Sequence, residues 1–179
     1  MSTPHLAPIV SAAVRNVLQT QFSLPIEALE TLPAMATGYA ATLYGTVVLF
    51  GSRVRGDICL SLPDALADTL VARMLGLPDS SAASDADKRD LAGEFCNMLS
   101  GQIGAALTDS GYLNDLGTPQ VTRERADLTD AGPSESRFEG GWACAGQPFS
   151  LSLSLRFAPH ESQDPQLSLI HISEPTRPY

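Results

Sequence analysis

Between positions 8 and 22 the apolar residues Ile9, Val10, Ala13, Val14, Val17 and Leu18 return every three or four positions. That period predicts an amphipathic helix from Pro8 to Phe22, stopped before Pro25. The run YAATLYGTVVLF, Tyr39 to Phe50, carries β-branched and aromatic residues at both odd and even positions, which predicts a strand buried on two sides at the centre of a sheet. Gly51 and Ser52 make a turn. After it Val54, Ile58, Leu60 and Leu62 alternate with Arg53, Arg55, Asp57 and Ser61, completing a hairpin with a solvated arginine face. Pro63 can open a second helix, with Leu66, Leu70 and Met74 at four-residue spacing and Gly76 and Pro78 closing it. A polar stretch from Asp79 to Lys88 leads into a third, longer helix ending near Asp109, with Ser84, Asp85 and Asp87 as its possible caps. The β period returns weakly at Gln120 to Leu128, better at Phe138 to Ala145, and strictly at Phe149, Leu151, Leu153, Leu155 and Phe157. The expected fold is α+β: a single domain with a mostly antiparallel sheet packed against amphipathic helices.

Composition narrows the function classes. The chain has 179 residues, 44% of them hydrophobic, enough for one domain with its own core. A net charge of −9 argues against nucleic acid as a partner, because displacing counterions from phosphates needs a basic patch. No apolar run is long enough for a membrane span, and residues 1 to 8 lack the pattern of an export signal. The three cysteines, Cys59, Cys96 and Cys144, fall in no disulfide or metal spacing and read as reduced thiols of a cytoplasmic protein.

The third helix carries the chemistry. Leu91, Ala92, Phe95, Met98, Leu99, Ile103 and Ala106 gather on one side, and Asp90, Glu94, Asn97 and Gly101 on the other. Instead of long charged side chains, this polar face is accompanied by Gly93, Gly101 and Gly104. Each glycine costs a helix interior about 1 kcal/mol relative to alanine, so either a partner approaches the backbone here or a neighbouring segment of the same chain packs closely. Cys96 falls toward the apolar side, as a buried thiol. His5 and His160 read as solvated tail residues, and Trp142 as a core or edge-strand aromatic.

Read whole, the spacing Asp90-x3-Glu94-x2-Asn97-x3-Gly101 with Pro119 downstream resembles the signature of the CheC, CheX and FliY family of chemotaxis phosphatases, which dephosphorylate CheY-type response regulators. The segment GDICLSLPDALADTLVARMLG before it is similar to the strand, proline and helix that precede the motif in CheX-like domains. The resemblance implies that Asn97 orients the water that attacks the regulator's aspartyl phosphate and that Glu94 pairs with the lysine beside that phosphate. Asp90 is expected to cap or support the helix, and Gly101 and Pro119 to support the site. It further implies that the chain binds no cofactor, any Mg2+ being held by the partner. Two-site relatives repeat the motif on another helix; here Ala13 stands where a glutamate would precede Asn16, so one site per chain is expected. Single-site relatives are dimers, and the apolar strand from Phe149 to Phe157 would be a hazard as a bare edge, so a homodimer is expected. The rival expectation is a non-catalytic module that docks on a regulator or a flagellar motor component. The CheX-like domain is assigned to residues 1–166, because Leu167 to Tyr179, LSLIHISEPTRPY, resembles the translation of a sequencing adapter.

Overall fold

The computed structural model describes residues 4–30, 42–78, 83–124 and 135–158. His160, residues 167–179 and the predicted strand positions 125–128 lie outside them. In chain order the elements are α1 (Leu6–Phe22), β1 (Ile26–Ala28), β2 (Thr42–Phe50), β3 (Val54–Pro63), α2 (Asp64–Leu75), α3 (Asp85–Asp109), β4 (Asp115–Leu116), β5 (Gln120–Thr122), β6 (Glu135–Cys144) and β7 (Gln147–Phe157). The strands form one antiparallel sheet in the order β1-β6-β7-β3-β2-β4, with β5 also pairing β2.

Alternation along the strands decides which face is covered. Val47 pairs with Ile58, Ile58 with Leu153, and Leu60 with Leu151, so these buried side chains form rows on one face. Against that face pack the helices, with Val10, Val14, Leu18, Leu66, Leu70, Phe95, Leu99 and Ile103 all fully buried. Phe95 joins two layers, its ring 5.9 Å from Phe22 and 6.1 Å from Phe149. Trp142 is buried and stacks on Phe149 at 5.8 Å. The β6–β7 hairpin closes through Ala145 and Gly146, both at positive φ (49° and 74°), the backbone that a two-residue turn between twisted strands requires.

Several sequence expectations need correction. β2 is neither central nor buried on two sides: it follows β3 toward the edge, and Val48 and Phe50 on its outer face are 51% and 48% exposed. Its aromatic and β-branched composition resembles two-sided burial, but the short β4 and β5 pair with its edge and leave the face of Val48 and Phe50 exposed. The central positions belong to β3 and β7. Since β7 lies between β6 and β3, it needs no second copy to protect an edge. Pro63 ends β3 and, as its position predicts, opens α2 from the N-cap. Arg55 is solvated as expected, but Arg53 precedes the strand, its guanidinium 5.1 Å from the ring centre of Tyr112. The strand β1 is too short to carry a periodic signal.

Candidate functional site

Helix α3 starts where Ser84 accepts a hydrogen bond from the Asp87 backbone N–H at 3.1 Å, while the Asp87 carboxylate accepts the Ser84 N–H at 3.3 Å. Capping therefore belongs to Ser84 and Asp87, and Asp90 lies a turn inside the helix, exposed. The buried face comprises Leu91, Ala92, Phe95, Cys96, Leu99, Ser100, Ile103, Gly104 and Leu107. Asp90, Glu94, Asn97 and Gly101 remain exposed on the other, about one turn apart along the axis.

A cleft of about 360 Å³ opens along this face, lined by Arg89, Asp90, Gly93, Glu94, Asn97, Pro119 and Val121. Four of the sequence-predicted residues, Asp90, Glu94, Asn97 and Pro119, thus meet in one concavity. Gly101 does not. It borders a separate cleft with Asn114 and Asp115, and a Cβ built on it would meet nothing within 4 Å. Gly104 is on the buried side: its carbonyl accepts a hydrogen bond from Asn114 Nδ2 at 2.9 Å, and a Cβ there would come within 2.7 Å of Asn114 Oδ1. Close packing within the chain accounts for Gly104, a Cβ on Gly93 would stand 3.6 Å from Val121 Cγ2, and of these three α3 glycines Gly101 is the one with open backbone.

The opposite wall of the cleft, Pro119 and Val121, is held to α3 by charged side chains that periodicity does not single out. Arg89 Nε donates to Asp85 at 2.7 Å, and its Nη1 donates to the Val121 carbonyl at 3.4 Å. Arg123, just after β5, donates in a fork to both oxygens of Asp64 at 2.9 and 3.2 Å and also to Asp85. Lys88 reaches Asp68 at 3.0 Å and Asp64 at 3.5 Å, joining α3 to α2. Hydrogen bonds from Arg123 and then Arg89 draw the Asp85 carboxyl down from 3.8 to about 2. Hydrogen bonds to Asp64 and Asp85 raise Arg123. Burial opposes the charge on Lys88, but Asp68 and Asp64 outweigh it and raise its pKa.

Cys96, inside the motif, is fully buried, and its thiol donates to the Gly45 carbonyl at 3.2 Å. Burial pushes it up to about 12, so it stays protonated at neutral pH and is no nucleophile. All three cysteines are free and buried. On α1, Ala13 is buried and Asn16 donates to Gln102 of α3 at 3.1 Å, so the helix that would bear a second motif is tied up in a helix–helix contact. His5 is exposed at the start of α1. Among the described residues no group of His, Cys, Asp or Glu gathers as a metal site, and no helix is long and apolar enough to cross a membrane.

Comparison with known proteins gives three results. The family model described as chemotaxis phosphatase CheX matches residues 43–135, which include the motif helix and both walls of the cleft. No curated protein matches the chain. Among solved structures the fold is similar to CheX from Vibrio vulnificus, at 20% identity and a TM-score of 0.70 over 87% of this chain and 99% of that one. It is similar to CheX from Desulfovibrio desulfuricans, at 24% and 0.65 over 84% and 99%. It is also similar to a chain of the CheX-CheY-BeF3-Mg2+ complex from Borrelia burgdorferi, at 16% and 0.66 over 85% and 98%.

Proposed function

Because the chain belongs to the chemotaxis phosphatase CheX family, we propose that it hydrolyses the aspartyl phosphate of a CheY-type response regulator. The observation that carries this reading is the exposure of Glu94 and Asn97 side by side in an open cleft, on a helix whose opposite, apolar face is buried in the core. An open cleft suits a macromolecular substrate that brings its own reacting group.

The step needs a water in line with the phosphorus more than it needs a strong base. Asn97 offers one acceptor and two donors and can hold that water without changing protonation state. The water oxygen bonds to phosphorus, the bond to the aspartyl oxygen breaks, the carboxylate is returned to the regulator and both protons of the water leave with inorganic phosphate. Glu94 pairs with the lysine beside the phosphate and fixes the approach. Asp90 adds negative charge at the mouth, and Pro119 forms the facing wall. Any Mg2+ the reaction uses would be held by the regulator. The working form is a cytoplasmic homodimer with one site in each chain.

The deciding experiment mixes the purified chain with a CheY-type regulator charged by acetyl phosphate and follows phosphate release. Acceleration that disappears in Asn97→Ala supports the reading. Binding without acceleration would instead support a non-catalytic docking module.

A further inference from the structure

On the other side of the Asp90–Glu94 ridge from the catalytic cleft lies a second groove, about 330 Å³, between the end of α2 and the first half of α3. One wall is apolar: Val71, Met74, Leu75 and Leu91. Its polar wall consists of Asp87, Asp90 and Glu94, all carboxylates. Met74 and Leu75 are 56% and 60% exposed, and Leu77, just beyond the helix, 47%. Three large apolar side chains so exposed within four residues of one another are costly to hydrate, unlike apolar residues scattered singly over a surface. Asp90 and Glu94 line both cavities, so a body that reaches Asn97 over this ridge meets the groove at the same time.

We propose that this groove is the affinity-determining part of the regulator-docking surface, seating an apolar side chain of the regulator next to a cationic one. The assignment rests on the functional reading above and adds a surface to it. The occupant follows from the lining: an apolar floor demands an apolar group, and a wall of carboxylates with no cation among the described lining residues demands a positive charge beside it. The regulator brings such a cation to Glu94 in the proposed reaction, and continuity of the two cavities through Glu94 puts one partner in both. Division of labour follows. Met74 and Leu75 contact the regulator equally before and during hydrolysis, so they set binding and not turnover.

The test uses the double variant Met74→Gln/Leu75→Gln, which keeps side-chain length and helix preference while removing the apolar wall. Steady-state dephosphorylation of an acetyl-phosphate-charged CheY-type regulator, and calorimetric binding to the same regulator loaded with beryllofluoride and Mg2+, are measured for wild type, the double variant and Met74→Leu. KM and the binding constant are expected to weaken about tenfold in the double variant, with kcat within about twofold of wild type and Met74→Leu near wild type in both. An active wild type with unchanged KM and affinity in the double variant would overturn the groove and leave the phosphatase reading intact. A wild type that binds without hydrolysing would overturn the phosphatase reading, and the affinity ratio would still decide the groove. Loss of self-association with unaltered regulator affinity would make the groove an interface between copies and overturn the assignment. No binding and no hydrolysis with any CheY-type regulator of the same genome would overturn both.

Discussion

Asn97 and Glu94 stand one turn apart and share solvent exposure, yet their proposed work differs, and the difference is measurable. In the proposed reaction Asn97 aligns water only as phosphorus is attacked. Asn97→Ala is therefore expected to cut regulator dephosphorylation about a hundredfold or more, leaving the melting temperature and the affinity for a beryllofluoride-loaded regulator nearly unchanged. In the same proposal Glu94 acts by charge, and its attraction begins before chemistry. Glu94→Gln is expected to weaken binding and to flatten its salt dependence, which titrations at low and high salt would show; a larger affinity loss for Asn97→Ala would reverse the two roles. Gly101 offers a third readout. With nothing within 4 Å of its missing Cβ, Gly101→Ala should stabilise the helix by about 0.5–1 kcal/mol in thermal unfolding. If the regulator lies against this backbone, the same variant binds it more weakly. The exposed pair was legible in the sequence because a 3.6-residue period separates Glu94 and Asn97 from Phe95, Cys96 and Leu99. The same period misplaced Gly104, whose neighbour Asn114 comes from beyond the helix.

At the scale of elements, the site depends on where α3 lies on the sheet and on what holds β5 opposite it. α3 crosses β2 at Gly45, where an added Cβ would stand 3.0 Å from Cys96 Cβ and 3.4 Å from the Ala92 carbonyl oxygen. Gly45→Val is expected to lift the motif helix and destabilise the fold by about 1–3 kcal/mol in denaturant titration. On the other wall, Arg123 ties the end of β5 to Asp64 of α2 and Asp85 of α3. Exposed ion pairs add little to stability, so Arg123→Ala should lower the melting temperature by only about 2–4 °C. Turnover should fall further, about tenfold, because Pro119 and Val121 lose their fixed distance from Asn97; Arg123→Lys should not restore it, lacking the fork that spans both oxygens of Asp64. The clamp also has a pH signature. Asp85 is ionised more readily in the fold than in the unfolded chain, so its contribution is present above an ordinary 3.8 and is lost as pH falls through about 2. Across that window wild type should lose stability more steeply than Asp85→Asn. Only the Asp85–Arg89 pair, four residues apart on one helix, has a local spacing; Arg123 and the Val121 carbonyl join it only after a three-residue strand has paired with β2. Helix ends, by contrast, were legible at Ser84, Gly76 and Asp109, where local chemistry decides.

For the whole molecule the class of fold was legible, because helical and alternating periods occupy separate stretches of the chain, while the order of strands was not. Tyr44, Val48 and Phe50 give β2 the look of an interior strand, and nothing local distinguishes an outward apolar residue on a rim from one in a core. The misreading bears on assembly, since the apolar β7 is already enclosed by β3 and β6. What remains for a homodimer is the family resemblance, and light scattering at micromolar concentration is expected to give the mass of two chains. The arrangement of the cleft then constrains what dimerisation can do. Arg89, Asp90, Glu94, Asn97, Pro119 and Val121 all come from one chain and converge without a second copy. A dimer would therefore carry two self-sufficient sites, and activity per chain should stay constant as the protein is diluted through its own dissociation. The measurement pairs phosphate release with mass over the same concentration series at saturating regulator. A fall in activity per chain that tracks the loss of dimer would mean that the partner copy completes the site, against a cleft lined by one chain.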